Sequence, residues 1–262
     1  DCTIPVLSRL LRVRFRISRN HLLGALLWAL VGGVVSAPAR DAHYAATVYG
    51  IDSGLPYNGA PLVLQARDGH LWIGTESGLA RFDGNEFATY RTANTPGLHD
   101  DNIRVLHEDA SGTLWIGTRS GLAAHRAGGF RHVDGIDDAV TAITSDLDGR
   151  VYVGTANQGL WLHQHGRLSD ISSTPGLPAG GRIRSLFHDS RGRTWVGFRD
   201  AACGTLENGR FQPLPFDSPP FREVIDVKET PSGTIWLATE RGLFRLRSGT
   251  LDALGTRTGL DS

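Results

Sequence analysis

The chain of 262 residues contains no methionine and only two cysteines. Cys2 lies near the N-terminus, which leaves Cys203 as the one cysteine of the remaining sequence. One cysteine cannot form an internal disulfide, and no CxxC spacing typical of a metal site occurs. We therefore expect Cys203 to be a small buried apolar residue. Because the sequence starts with Asp1 and lacks methionine, we interpret it as a fragment or a mis-started reading frame.

An excess of charge of either sign is also missing. The 27 basic and 27 acidic residues cancel, and the only lysine is Lys228. Residues 1–39 hold five arginines and one acid, so residues 40–262 carry 22 basic and 26 acidic residues, a net charge of −4. A mildly acidic body offers no electrostatic attraction for nucleic acid. We therefore predict no nucleic-acid partner.

Sequence motifs of catalysis are absent as well. The chain has no GxGxxG, P-loop or HExxH pattern, and the serine of Gly74–Gly78 comes one place too late for a nucleophile elbow. Asp146–Gly149 begins like a calcium loop but lacks the third ligand and the distal glutamate, which favours an ordinary turn. His163 and His165 could hold a metal, although the lack of a third ligand favours surface histidines. We predict no catalytic residue, no metal and no cofactor.

One long apolar run occurs near the N-terminus. Five arginines precede Leu22–Val35, which carries no charge, and Ser36–Ala39 follows it with small residues. This order is typical of a secretory signal. As a helix the run would span roughly 21 Å, short of the roughly 30 Å hydrocarbon core, which favours a cleaved signal over a stable membrane span. We predict a helical signal peptide or N-terminal membrane segment over residues 1–39, with the remainder outside the cytoplasm.

A repeat of about 40 residues fills residues 40–262. Each copy has a turn that contains a glycine, followed three residues later by an aromatic residue with an apolar residue after it, as in Asp68–Thr75 and Ser111–Thr118. A Gly-Leu pair opens three of the copies: Gly54-Leu55, Gly97-Leu98 and Gly176-Leu177. The aromatic residues that mark the centres of the five copies are Trp72, Trp115, Tyr152, Trp195 and Trp236. A regular period of this length indicates a repeat architecture.

Each copy divides into four short strands separated by glycine turns. In the second strand of the second copy, Leu114 and Ile116 point to one face and Trp115 to the other, so both faces are apolar. A sandwich leaves one face wet, whereas a propeller blade is buried between two neighbours. We predict an all-β fold, a β-propeller of four-stranded blades with about five blades present; an open β-solenoid is the alternative. The final Gly259-Leu260 pair repeats the opening of a copy and indicates an incomplete, larger propeller.

The segments Asp68–Gly84 and Ser111–Leu122 resemble the two-component regulator propeller repeat, and Gly50–Asn58 resembles the start of such arrays. The resemblance covers about residues 44–262. Three positions depart from the family pattern: Tyr152, Phe198 and Ala238. The fourth copy also lacks the Gly-Leu pair that follows the second strand in the other copies.

The resemblance implies the sensor of a membrane receptor on the periplasmic side of the bacterial inner membrane. It also implies that the full-length protein continues with more blades, a β-sandwich, a transmembrane helix and a histidine kinase or diguanylate cyclase output. Membrane association would then come from the full-length protein, and this chain would itself be no enzyme.

Candidate ligand-binding residues come from a contrast between the copies. After the uniform second strand, the next two positions are polar and differ from copy to copy. They belong to loops at one face of the ring, and loops on a rigid scaffold often bind ligands. Ordinary solvated loops are the alternative. The candidate residues are Glu76, Arg119, Asn157, Arg199, Asp200, Glu240 and Arg241.

Three functions remain open from the sequence. The first is an extracytoplasmic sensor that binds an unknown small molecule or glycan, or forms a homodimer through the propeller. The second is a secreted interaction scaffold. The third is a secreted propeller enzyme that cleaves polysaccharides, which would need convergent carboxylates, histidine or tyrosine at the centre of the ring. The sequence favours the first.

Overall fold

The repeat folds as five four-stranded antiparallel sheets, which confirms the predicted all-β propeller architecture. A computed structural model of the chain describes residues 47–254, apart from residues 128, 202, 216–219 and 248. The predicted signal segment at residues 1–39 and the Gly259-Leu260 pair lie outside the described residues.

Each sheet consists of four strands that are consecutive in the chain, and we number the sheets as blades 1 to 5. A short 3-10 helix, Ile51–Ser53, precedes blade 1. Blade 1 contains β1 (Leu62–Gln65), β2 (Leu71–Thr75), β3 (Gly78–Phe82) and β4 (Phe87–Tyr90). Blade 2 contains β5 (Ile103–Glu108), β6 (Leu114–Thr118), β7 (Gly121–Arg126) and β8 (Gly129–Val133). Blade 3 contains β9 (Val140–Ser145), β10 (Val151–Thr155), β11 (Leu160–Gln164) and β12 (Arg167–Asp170). Blade 4 contains β13 (Ile183–His188), β14 (Thr194–Phe198), β15 (Gly204–Glu207) and β16 (Arg210–Pro213). Blade 5 contains β17 (Val224–Glu229), β18 (Ile235–Thr239), β19 (Gly242–Arg247) and β20 (Thr250–Leu254).

The first strand of each blade lies at the inner edge of its sheet. In blades 1 to 4 the first strand, β1, β5, β9 or β13, contacts the first strand of the next blade, and the second strand contacts that same first strand as well. Two hydroxyl groups tie these inner strands together: Thr141 donates to the Ile183 carbonyl at 2.7 Å, and Ser185 donates to the Val224 carbonyl at 2.8 Å. The blades therefore stand side by side around a common axis, with their first strands innermost.

The second strand of a blade is buried on both faces, as the sequence predicts. Every residue of β6 is buried, and Trp115 is 2% exposed. The Trp115 ring lies in one cluster with Val140 and Val151 of blade 3, while Ile116 clusters with Trp72 of blade 1. The central aromatic residue of each of blades 1 to 4 thus packs against the blade that follows it. Trp236 of blade 5 is only half-buried.

The opening Gly-Leu pair has a packing role at the junctions between blades. Leu98 is 2% exposed and belongs to the cluster between blades 1 and 2. The structure adds two equivalents that the Gly-Leu pattern misses: Ile136 after Gly135 at the junction of blades 2 and 3, and Phe221 at the junction of blades 4 and 5. An apolar residue at the start of a copy therefore packs into each of the four junctions, fully buried in three of them and partly buried as Leu177 between blades 3 and 4, and leucine is one of several residues that fit.

The glycine of this opening pair is required by its backbone. Gly97 has a φ of +94°, and a Cβ atom there would lie 2.7 Å from the Phe130 carbonyl oxygen. We expect Gly97→Ala to lower the free energy of unfolding by about 2–3 kcal/mol, because left-handed strain of about 1–2 kcal/mol adds to a displaced backbone. Gly112→Ala is the matched control, since Gly112 has a φ of +80° but nothing within 4 Å of its added Cβ. Equal losses for both variants in urea unfolding would contradict a role for close packing at Gly97.

Cys203 lies in the core between blades 4 and 5, which confirms the predicted buried position. It is fully buried and clusters with Trp195 and Phe221. Burial raises the pKa of its thiol to about 12. The thiol is therefore protonated at physiological pH and acts as an apolar side chain.

Candidate ligand-binding surface

The seven candidate residues all lie in the turns between the second and third strands of their blades. All seven are exposed. Strand direction alternates within a blade, so these turns share an edge with the segments that lead into the first strands. We call this edge of the propeller, formed by both kinds of segment, the loop face. The structure thus places the candidates on one face, at one or two per blade.

A threonine closes the turn in four of the five blades. The hydroxyl of Thr75 donates to the Gly78 carbonyl at 2.8 Å, and Thr118 donates to the Gly121 carbonyl at 2.9 Å. Thr155 and Thr239 make the same bond in blades 3 and 5. In blade 4 the buried Phe198 takes this position. The Gly-Thr ending of the repeat therefore holds the loop face in place.

Asn157 is bound to the segment that leads into its own blade. Its side-chain amide donates to Asp138 Oδ1 at 3.0 Å, and the backbone N–H groups of Asn157 and Gln158 donate to Asp138 Oδ2. Burial would raise the pKa of Asp138, but these hydrogen bonds outweigh it and keep the pKa below its ordinary value. Asn157 is therefore a rigid part of the loop face, with a structural role beside any role in binding.

Glu240 and Asp200 have equivalent partners in blades 5 and 4. Glu240 accepts hydrogen bonds from the backbone N–H groups of Arg222 at 2.8 Å and Glu223 at 3.0 Å. Burial would raise the pKa of Glu240, but these bonds leave it lowered. Asp200 lies 3.4 Å from the Arg182 guanidinium. In blades 3, 4 and 5 the turn and the lead-in segment are thus joined by side-chain polar contacts.

Three candidates make no such contact. Within residues 47–254 as described, the side chains of Glu76, Arg119 and Arg199 form no hydrogen bond or ion pair. Only their backbones are fixed: the N–H groups of Arg119 and Arg199 donate to the lead-in carbonyls of Asn102 and Arg182. Arg241 makes only a long ion pair, with its guanidinium 3.8 Å from Glu240. Arg119 and Arg199 are therefore the candidates with a positioned backbone and an uncommitted charge.

One small cavity opens on the loop face between blades 3 and 4. Its volume is about 170 Å³, and it lies beside Asn157 and the buried Phe198. Pockets for drug-sized ligands have volumes of about 300–1,000 Å³. This cavity can hold only a small group of a ligand.

A larger cavity of about 460 Å³ lies along the axis, between the first strands of blades 2 to 5. Each inner strand is paired on one side only, so its free edge presents backbone groups to the cavity. Three charged side chains line it: Arg184, Asp226 and Lys228. Lys228 Nζ lies 3.1 Å from Asp226, and Arg184 Nε lies 2.9 Å from Glu223, which is outside the cavity lining. The sequence does not predict this cavity, because it arises from the arrangement of four strands of different blades and from no local motif.

Two histidines of the inner strands also line the axial cavity. His107 Nε2 lies 2.8 Å from the Ser145 hydroxyl of the next blade, and burial lowers the pKa of His107. His188 Nδ1 lies 3.2 Å from the Thr194 hydroxyl. His107 lies opposite Trp115 on the neighbouring strand, but His188 lies opposite Thr194, and Phe187 lies opposite Trp195. The two histidines therefore occupy different positions of the repeat.

Buried aspartates in the turns after the first strands hold the central tryptophans. Asp109 Oδ2 accepts a hydrogen bond from Trp115 Nε1 at 2.7 Å, and Asp189 Oδ2 accepts one from Trp195 Nε1 at 2.9 Å. Asp146 occupies the same position in blade 3 and pairs with Arg150 at 2.6 Å. In the sequence, this contact is marked by an aspartate six residues before the central aromatic residue of the copy. The segment that resembles a calcium loop is therefore the turn that the sequence favours.

His163 differs from the surface position predicted for it. The residue lies in β11, half-buried, with its ring 4.6 Å from the Trp115 ring. His165 is an exposed turn residue with a φ of +52°. In the described part of the chain, no three or more His, Cys, Asp or Glu side chains are grouped as metal ligands. The same residues include no helix with the length and apolar character of a membrane span.

Comparisons with known proteins agree with the fold. Residues 97–120 match the family model of the two component regulator propeller. No curated protein matches the chain. The extracellular domain of a hybrid two component system from B. thetaiotaomicron is similar with a TM-score of 0.68 and 23% identity, over 79% of this chain and 31% of that one.

Other solved structures share the fold at lower identity. The extracellular domain of a one component system from B. thetaiotaomicron has a TM-score of 0.60 and 20% identity, over 70% of this chain and 26% of that one. Virginiamycin B lyase from Staphylococcus aureus has a TM-score of 0.60 and 15% identity, over 74% of this chain and 69% of that one. The chain thus spans about a third or less of the two extracellular domains. The comparisons show a β-propeller fold in which residues 97–120 match the two component regulator propeller.

Proposed function

We propose that this chain is the extracytoplasmic ligand-sensing propeller region of a transmembrane signal-transduction receptor. The observation that carries the proposal is the match of residues 97–120 to the two component regulator propeller, together with a fold shared with extracellular domains of such systems. The signal-like segment at residues 1–39 supports a location on the periplasmic side of the inner membrane. The output, a histidine kinase or diguanylate cyclase, would belong to the rest of the receptor.

The loop face is the proposed site of ligand contact. Arg119 and Arg199 present exposed guanidinium groups on turns that are fixed by backbone hydrogen bonds. Such groups lose little backbone freedom on binding and can form paired hydrogen bonds with carboxylate or hydroxyl oxygens. The ligand is an unknown small molecule or glycan. A homodimer formed through the same face is also compatible with the exposed turns.

The residues of the axial cavity favour sensing over catalysis. Asp226 is the only acidic residue that lines it in the described structure, and Lys228 is its ion-pair partner. Hydrolysis of a glycosidic bond commonly uses two carboxyl groups that flank it. We therefore propose no enzyme activity for this chain. Among the alternatives to a sensor, an interaction scaffold is favoured over a polysaccharide-cleaving enzyme.

A binding assay on the complete 262-residue chain tests the proposal. An array of oligosaccharides and a panel of small carboxylates and amino acids serve as probes. For any probe that binds, we expect Arg199→Ala to weaken affinity about tenfold or more, since hydrogen bonds to a charged group contribute about 1.5–3 kcal/mol. Arg126→Ala is the control, because Arg126 is an exposed arginine at the opposite end of a blade.

Two outcomes would contradict the proposed site. One is equal weakening by Arg199→Ala and Arg126→Ala, which would indicate nonspecific attraction to positive charge. The other is the absence of binding across the whole panel, which would favour the interaction scaffold.

A further inference from the structure

The junction between blades 1 and 2 packs a histidine and an arginine against one buried tryptophan. Trp72 is 3% exposed, and the His125 ring of blade 2 lies 5.1 Å from its ring. The Arg81 guanidinium lies 5.9 Å from the centre of the same tryptophan ring. An aromatic ring attracts the arginine cation through its face. The neutral imidazole and the cation therefore share one aromatic surface.

The junction between blades 2 and 3 repeats this arrangement. Trp115 is 2% exposed, the His163 ring lies 4.6 Å from it, and the Arg131 guanidinium lies 5.5 Å from its centre. His163 Nε2 is buried and has no hydrogen-bond partner within the described residues. A proton placed on that nitrogen would be a buried donor without an acceptor.

The other two junctions have leucine at the same repeat position. His125 is registered with Leu114, and His163 with Val151. The residues in the same register of blades 4 and 5 are Leu206 and Leu246, which lie in the clusters around Tyr152 and Trp195. The propeller thus contains two junctions with a titratable ring and two with an inert side chain in its place.

The charges around each histidine favour the neutral ring. Burial lowers the pKa of His125, the positive charge of Arg81 lowers it further, and Asp68 opposes both. Burial likewise lowers the pKa of His163, with Arg131 adding to the effect and Asp109 opposing it. Neither aspartate is a free partner, since Asp68 pairs with His70 and Asp109 accepts the Trp115 hydrogen bond.

We propose that the junctions of blades 1, 2 and 3 form a pH-responsive element, in which protonation of His125 and His163 loosens the packing of these blades. The proposal goes beyond ligand sensing and does not depend on it. A histidine whose pKa is lowered on folding contributes its stabilising packing fully above the ordinary value of about 6.5. That contribution is lost as the pH falls below about 6.5. Mild acid therefore loosens blades 1 to 3 and leaves the two leucine junctions unchanged.

Hydrogen–deuterium exchange of the complete chain at pH 7.5, 6.5 and 5.5 tests this element, after correction for intrinsic exchange rates. We expect protection of β2, β7 and β11 to fall with pH, by up to about tenfold per unit for each histidine. Protection of β14 and β19 should stay constant. His107 also bridges blades 2 and 3 through Ser145, so its titration could contribute to the response. A His107→Gln variant distinguishes this contribution, and it should keep the pH response of β2 and β7.

Substitutions in both directions provide the matched controls. The double variant His125→Leu and His163→Leu should remove the response, since leucine is the residue at these positions in blades 4 and 5. Leu246→His should install a response at the junction of blades 4 and 5, where Arg193 lies 5.2 Å from the Trp195 ring centre. An equal response in all blades would overturn the proposal. So would an NMR titration of the unaltered chain in which both rings take up protons above about pH 6.5.

Discussion

Trp115→Ala is expected to lower the free energy of unfolding by about 4 kcal/mol, because removal of a buried tryptophan leaves a cavity that its neighbours cannot fill. Trp115 is 2% exposed, and it packs against blade 3 and donates a hydrogen bond to Asp109. Urea unfolding followed by far-UV circular dichroism measures the loss.

Trp236→Ala provides the comparison at the same repeat position. Trp236 is only half-buried, so we expect its removal to lower the free energy of unfolding by about 2 kcal/mol or less. If both substitutions lower the free energy of unfolding equally, the tryptophans stabilise their own sheets and not the contact with the following blade.

Asp109→Asn is expected to lower the free energy of unfolding by about 2–3 kcal/mol at pH 7. Asp109 is 6% exposed, and its two oxygens accept hydrogen bonds from Trp115 Nε1, from the Ser111 hydroxyl and from the backbone N–H groups of Ser111 and Thr113. The added amide group has no acceptor in this set, so one buried donor loses its partner. Thermal and urea unfolding of the two proteins give the difference.

The effect of Asp109→Asn should depend on pH in a defined direction. Burial would raise the pKa of Asp109, but the hydrogen bonds from Ser111 and Trp115 outweigh it and the pKa is lowered. The stabilisation by this carboxylate is therefore complete above the ordinary value of about 3.9 and is lost as the pH falls below it. We expect the two proteins to converge in stability in strong acid.

Asp68→Asn is the control for this comparison. The Asp68 side chain is 59% exposed in the corresponding turn of blade 1, where it pairs with His70. We expect a change of less than about 1 kcal/mol. A gap between Asp109→Asn and the unaltered chain that persists unchanged at pH 2.5 would contradict the assignment of the stabilisation to the ionised carboxylate.

The sequence predicts the architecture well because the relevant signals are local. Alternation of Leu114, Trp115 and Ile116 indicates a strand that is apolar on both faces, and its recurrence every 40 residues or so indicates stacked sheets. The structure confirms both. The buried position of Cys203 follows from its chemistry in the same way.

Other features depend on contacts that no local pattern encodes. The opening residue of a copy must only be apolar and buried, so Ile136 and Phe221 serve as well as Leu98, and a search for Gly-Leu misses them. The surface position predicted for His163 is wrong because the ring meets a tryptophan from the preceding blade, whose side chain is 48 positions away in the chain.

The candidate site is predicted only in outline. Exposure of the seven turn residues follows from their polarity and from the turns that hold them. The partners of Asn157 and Glu240 come from lead-in segments of variable length, so the sequence does not indicate that these two side chains are already bonded. Whether Arg119 and Arg199 bind a ligand stays a prediction.

The central aromatic ring of each of blades 1 to 4 packs against the blade that follows it, which gives the propeller a direction. Trp72 depends on blade 2, Trp115 on blade 3 and Trp195 on blade 5, whereas none of these rings is buried by the blade before it. In repeat proteins, stability is approximately a sum of unit terms and nearest-neighbour terms. Damage to one blade should therefore uncover the central ring of its predecessor and leave the central ring of its successor covered.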